Sequence, residues 1–151
     1  MKRTVTKEVC FAAAHFLPEH GKCSALHGHN WNVTIDISTE EEDYDMIIDF
    51  NILKNIVMKM DHKLLVGSSY VTSGGDYCDV WWEGHKLTLP HDELYVMEDV
   101  PTAENIAKHI ATQIAQIIWC SADIMVEVSE GPGAKATHSI KNYTEGDPLN
   151  D

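Results

Sequence analysis

The segment 11–33, FAAAHFLPEHGKCSALHGHNWNV, gathers side chains that can do chemistry: His15, Cys23, His27 and His29. One residue, Gly28, separates His27 from His29, and on a strand two side chains so spaced point to the same face. Two imidazoles on one face, with a third from a neighbouring strand, make three corners of a tetrahedral zinc site. The fourth corner is then left to water or substrate, as in a catalytic site. Gly28, with no side chain, would let backbone or ligand come close. The plainer alternative is three separate, hydrogen-bonded histidines, because an H-x-H pair also arises by chance. Cys23 has three readings that spacing leaves open. It is a small buried hydrophobe, the common fate of a free cysteine. Or it is a thiolate base beside the metal, since an ordinary thiol pKa of ~8.5 is easily lowered by nearby cationic groups. Or it is the fourth zinc ligand.

Two further places carry candidate chemistry. In Asp61-His62 the carboxylate could orient the imidazole for proton transfer, or it could simply end a helix in solvent. Glu130 follows Ile124, Val126 and Val128 in strand parity, and a carboxylate ending an apolar row needs partners. It is either a rim position in water or an acceptor for a ligand with two adjacent N–H donors. His20, His85, His91, His109 and His138 have no partner at a usable spacing and default to the surface.

These residues need elements to hold them. Residues 4–14 read as a strand, with Val5, Val9, Phe11, Ala13 and His15 on one parity and Lys7 interrupting the row. Residues 27–38 read as a second strand, with His27, His29, Trp31, Val33, Ile35 and Ile37 on one face. A first strand that ends in a histidine and a second that begins with two would bring all three together if the strands pair antiparallel. Asp49 can cap a helix running to about Met60, with Ile52, Leu53, Ile56, Val57 and Met60 at helical spacing. A second helix starts at 101–104, where Thr102 suits the N-cap and Glu104 the positive helix end. Its buried stripe is Ile106, Ile110, Ile114, Ile117 and Ile118. Between the helices, 66–100 is an inserted segment. It has a turn at Gly74-Gly75, a hairpin from 80–82 and 85–89, and a short extended piece at 93–97. Residues 123–130 and 134–140 form two last strands around Gly131-Pro132-Gly133, and a polar tail runs from about 142 to 151. The order β-β-α-α-β-β predicts an α+β domain over 1–151: an antiparallel four-stranded sheet with two helices on one face.

Composition excludes several classes of function. The chain has 151 residues, 44% hydrophobic and 23% charged, with a formal net charge of -13. Length and composition suit a single soluble globular domain with its own core. The acidic balance argues against nucleic acid, whose phosphates need Lys and Arg, but leaves room for an anionic small molecule in a locally positive pocket. Four cysteines without C-x-x-C spacing fit a reducing cytoplasm. The N-terminus lacks the apolar run of a signal peptide, and no apolar run suggests a membrane span.

Taken together, the motifs resemble the family of 6-pyruvoyl-tetrahydropterin and 6-carboxy-tetrahydropterin synthases. The matching residues are Phe11-x-Ala13-Ala14-His15, Cys23-Ser24-Ala25-Leu26-His27-Gly28-His29, Ile48-Asp49-Phe50, Asp61-His62-Lys63, Pro101-Thr102-Ala103-Glu104-Asn105 and Val128-x-Glu130. The short spacer from Cys23 to His27 resembles the bacterial carboxy-forming type. The resemblance implies a tunnelling fold, assembled through strands into a homohexamer of two trimers. It implies a zinc ion (Zn2+) on His15, His27 and His29. It implies Cys23 as proton acceptor, His62 paired to Asp61 in the proton relay, and Glu130 on the pterin ring and in the relay. The implied reaction converts 7,8-dihydroneopterin triphosphate to 6-carboxy-5,6,7,8-tetrahydropterin, acetaldehyde and triphosphate, on the way to 7-deazaguanines such as queuosine. The alternatives are the pyruvoyl-forming enzyme, which eliminates triphosphate only, and a non-catalytic pterin- or zinc-binding member of the fold. Two departures stand out: Gly131 follows Glu130 where the family typically has threonine, and 66–100 is longer than the link in compact members.

Overall fold

A computed structural model describes residues 1–143. The polar tail beyond Tyr143 lies outside the described residues. Strand β1 (Arg3–His15) pairs antiparallel with β2 (His27–Thr39) along its whole length, from Arg3 opposite Thr39 to His15 opposite His27. Strict alternation sets this register: Val9, Phe11 and Ala13 on β1 and Trp31, Val33, Ile35 and Ile37 on β2 are buried on one face. A slip of one residue would turn that whole row to solvent. Helix α1 (Phe50–Met58) follows, its N-cap Asp49 accepting from the Asn51 N–H at 2.8 Å.

After α1 the structure departs from the expected four antiparallel strands. The main sheet has six strands and is mixed, because β3 (Lys63–Gly67) and β7 (Leu94–Met97) add to it, with β3 parallel to β1 and β7 parallel to β3. Parallel neighbours need a crossover. The route from β1 to β3 runs through β2 and α1. The route from β3 to β7 is a separate antiparallel sheet of β4 (Val71–Gly74), β5 (Tyr77–Trp82) and β6 (His85–Pro90). The expected turn at 74–75 and hairpin at 80–89 are both present. Helix α2 (Ala103–Ile117) is capped by Thr102, whose hydroxyl accepts from the Asn105 N–H at 3.1 Å. Strands β8 (Ala122–Gly131) and β9 (Ala134–Asn142) complete the order β7-β3-β1-β2-β8-β9.

Both helices pack on the apolar face of the sheet, and Leu53, Val57, Ile106, Ile110 and Ile114 meet the β1, β2 and β8 rows there. Two expected stripe residues fall outside this core: Ile52 is 44% and Ile117 47% exposed. A second core forms where the small sheet meets the end of β1. It contains Phe16, Leu64, Val66, Cys78, Val80, Trp82 and Leu94. Strand β3 serves both cores, with Leu65 in the first and Leu64 and Val66 in the second. No helix among the described residues is long and apolar enough to cross a membrane.

Candidate metal centre and active site

The pairing of His15 with His27 puts two imidazoles side by side at the end of the sheet. The pairing of His29 with Ala13 puts the third over a methyl-sized neighbour, which leaves it room. The ligand-capable nitrogens of His15, His27 and His29 all lie within 4.8 Å of one another, and this group contains no thiol or carboxylate. Trp31 backs the cluster, its ring centroid 4.9 Å from that of His15 and 5.1 Å from that of His29.

Backbone carbonyls choose the tautomers. His15 Nδ1–H donates to the Pro101 carbonyl at 2.8 Å, and His27 Nδ1–H donates to the Ala25 carbonyl at 2.7 Å. Both Nε2 atoms are then lone-pair acceptors, yet they face one another at 3.0 Å. Such a pair repels unless a cation lies between them. Two nitrogens sharing a tetrahedral zinc stand roughly 3.3 Å apart, given bonds of about 2.05 Å. His29 Nε2 is buried without a hydrogen-bond partner among the described residues, which is costly in the absence of an ion. Burial above all, reinforced by His27 and His29 and opposed by the Pro101 carbonyl, pushes His15 down to about 4. It is therefore neutral near pH 7, the form that binds a metal. The donor set fits a metal ion on all three counts.

Gly28 meets its expectation only in part. A Cβ there would sit 3.5 Å from the Ala13 carbonyl oxygen, an ordinary contact, so no close approach of backbone demands glycine. It instead lines an open groove of about 690 Å³ with His29, His62, Lys63, Leu89 and Glu93. His62 therefore shares a groove with His29 of the cluster. Its Nδ1 lies 2.8 Å from Asp61 Oδ2, while Asp61 Oδ1 accepts the Ala12 N–H at 2.9 Å and the His62 N–H donates to the Ala12 carbonyl at 2.6 Å. These bonds hold His62 in a left-handed conformation at φ 59°, unusual for a residue with a side chain. The imidazole itself is 82% exposed.

Glu130 stands beside a register shift between Ser129 and Gly131, where β8 leaves strict pairing with β9. Its Oε2 is 3.9 Å from His29 Nε2, so the carboxylate borders the cluster rather than standing alone in water. Cys23 is apart from both the cluster and the groove lining. It rides on a single 3-10 turn, Gly21–Ser24, in the β1–β2 connection. Four groups that sequence reasoning missed take part here: the carbonyls of Pro101 and Ala25, which orient imidazoles, Trp82, which bonds to Ser24 in the Cys23 turn, and Glu83, which bonds to Glu19 just before it. The apolar Val80-Trp81-Trp82 run marks a buried tryptophan, but nothing in the sequence marks what it reaches.

Comparison with known proteins gives a consistent result. The sequence profile of the family described as 6-pyruvoyl tetrahydropterin synthase matches residues 4–141. A protein of Pyrococcus abyssi, provisionally named 6-carboxy-5,6,7,8-tetrahydropterin synthase, is 35% identical, covering 93% of this chain and 91% of its own. A Rickettsia conorii protein named 6-carboxy-5,6,7,8-tetrahydropterin synthase is 31% identical, covering 80% and 86%. The crystal structure of 6-pyruvoyl tetrahydropterin synthase from Plasmodium vivax superposes with a TM-score of 0.77 at 23% identity, covering 93% of this chain and 99% of that one.

Proposed function

The chain belongs to the 6-pyruvoyl tetrahydropterin synthase family, and from that premise we propose that it is a zinc-dependent carbon–carbon lyase. Its substrate is 7,8-dihydroneopterin triphosphate, and its products are 6-carboxy-5,6,7,8-tetrahydropterin, acetaldehyde and triphosphate, feeding 7-deazaguanine synthesis. The observation that carries the reading is the cluster of three imidazoles, with His29 Nε2 lacking a hydrogen-bond partner among the described residues, Glu130 at its border and His62 in the groove that His29 lines. The short Cys23-to-His27 spacer and the names of the relatives favour the carboxy-forming reaction over the pyruvoyl-forming one.

His15, His27 and His29 would hold the zinc, which supplies a Lewis acid for the side-chain oxygens of the substrate. Cys23 takes a proton from the substrate's side-chain carbon. His62 returns one elsewhere: Asp61 fixes its Nδ1–H, so Nε2 is the atom that exchanges protons. Glu130 accepts from the ring N–H and exocyclic amine of the pterin, a donor pair that a carboxylate matches. Triphosphate then leaves, and a water molecule adds to the side-chain carbon next to the ring as the carbon–carbon bond beyond it breaks, so that the water oxygen completes the carboxylate and the other two carbons leave as acetaldehyde. An 82% exposed His62 needs bulk water excluded around it for this chemistry. Assembly into a hexamer of two trimers would supply that cover.

The second reading is the pyruvoyl-forming reaction, favoured by the description of the family whose profile matches residues 4–141. Mass spectrometry of the product from 7,8-dihydroneopterin triphosphate decides between them. The carboxy product with acetaldehyde is expected. A product that keeps the full carbon chain would replace the first reading by the second, and tight pterin binding without turnover would leave a binding protein.

A further inference from the structure

The small sheet between β3 and β7 reaches back to the Cys23 turn through the tip of one hairpin. Strands β5 and β6 join through Glu83 and Gly84, at φ 46° and 80°. Two left-handed residues make the two-residue turn whose twist suits paired strands, and the first position is ordinarily Asn, Asp or Gly. Glutamate there is strained. Its carboxylate accepts the Glu19 N–H at 2.6 Å, and Glu19 is itself left-handed at φ 66°. Two strained residues thus hold one another across the gap between the hairpin and the turn. One residue earlier, Trp82 is 8% exposed and stacks on Phe16, ring centroids 4.1 Å apart and 11° from parallel. Its indole N–H donates to the Ser24 carbonyl at 2.9 Å.

The Trp82 bond falls on a turn with little hold of its own, and the contacts to Phe16 and Glu19 fall on the chain that leads into it. The 3-10 turn Gly21–Ser24 has no buried residue and no side-chain cap. Backbone bonds close it, Leu17 N–H to the Cys23 carbonyl at 2.8 Å and Cys23 N–H to the His20 carbonyl at 3.1 Å. They shape the loop without fixing it against the sheet. The hairpin tip does fix it: at Phe16 where the loop leaves β1, at Glu19 in its middle, and at Ser24 immediately after Cys23.

We propose that Trp82 and Glu83 are positioning residues for Cys23, setting where its thiol stands relative to the imidazole cluster. This rests on the reading of Cys23 as proton acceptor. A proton acceptor displaced by an ångström or so loses roughly 100-fold in rate, which is the leverage a brace of this kind has.

Three variants test it. Trp82→Phe keeps a stacking face but has no N–H; Glu83→Ala removes the acceptor; Glu83→Gln keeps an acceptor oxygen. For each, kcat and KM with 7,8-dihydroneopterin triphosphate and zinc content are measured. The rate of Cys23 alkylation by iodoacetamide is followed by peptide mass spectrometry, with the exposed Cys10 as internal reference. Trp82→Phe and Glu83→Ala are expected to lower kcat by about 10- to 100-fold, with KM within about twofold. Zinc and Cys10 alkylation should stay at parent values, the Cys23 alkylation rate should change by about threefold or more, and Glu83→Gln should restore most of the loss. Parent kcat and parent Cys23 alkylation in the first two variants would overturn the proposal. So would loss of zinc together with turnover, or a Glu83→Gln no better than Glu83→Ala. Failure of the proton-acceptor reading itself would show separately, as Cys23→Ala at the parent rate, while altered Cys23 alkylation in the hairpin variants would still report the brace.

Discussion

Two of the three imidazoles of the cluster are told by their neighbours which nitrogen to present. Pro101 and Ala25 take the Nδ1 protons of His15 and His27, so both turn Nε2 to the common centre, as metal-binding histidines oriented by an outer partner do. His27→Ala or His29→Ala should therefore strip zinc from purified protein. Cys23→Ala should keep it, because three histidines and a water suffice for a catalytic site. Turnover of Cys23→Ala should fall by roughly 100-fold or more, the worth of a positioned proton acceptor. Metal analysis and steady-state rates on the three variants check both statements, and Cys23→Ala protein without zinc would make the thiol a ligand. At this scale much was legible in advance. Strand parity alone brings His15, His27 and His29 together, because β1 and β2 keep register without a bulge up to the His15–His27 pair. The surroundings of Cys23 were not legible, because they depend on Trp82 and Glu83, which are remote in the chain and carry no local signal pointing to it.

Among the elements, β1, β2, β8, β9 and both helices follow from alternation, helical spacing and caps at Asp49 and Thr102. Strand β3 does not, for a physical reason: Leu64, Leu65 and Val66 form a continuous apolar run that faces one core on each side. Alternation is the signature of a strand with one wet face, and a strand buried on both faces has none. The join between β1 and β3 is Asp61, which accepts the Ala12 N–H and pairs with His62. The Ala12 N–H foremost, with His62 adding to it against the opposing effect of burial, holds this carboxyl below the usual aspartate range. A folded-state pKa below the unfolded one means that the unfolded chain binds the proton more readily. The stabilisation is then fully present above the unfolded value of ~3.9 and is lost as pH falls through the lower folded value. Asp61→Asn keeps an acceptor oxygen but not the charge. Urea unfolding should show a stability gap between parent and Asp61→Asn that is steady near neutral pH and closes below about pH 4. A gap that is unchanged at about pH 2 would mean that the charge is not what joins these elements.

At the scale of the whole molecule, the sheet ends in two strands, β7 and β9, each paired on one side only among the described residues. β9 is nine residues long, and an edge of that length is a template for pairing with another chain. Light scattering should give a multiple of the 16.9 kDa chain mass, and a monomer at working concentration would leave the exposed His62 uncovered and count against assembly. The placing of all three imidazoles on the β1–β2 hairpin has a consequence for kinetics. The candidate ligands come from one local unit, and among the described residues the Pro101 carbonyl and the Glu130 carboxylate reach them from far along the chain. Zinc should therefore act early on the folding path, binding a hairpin that has formed before α2, β8 and β9 have docked. Stabilisation already present in the transition state speeds folding and leaves unfolding nearly unchanged. In a denaturant chevron, added zinc should raise the folding arm and barely move the unfolding arm. Movement confined to the unfolding arm would mean that the ion enters only after the sheet has closed.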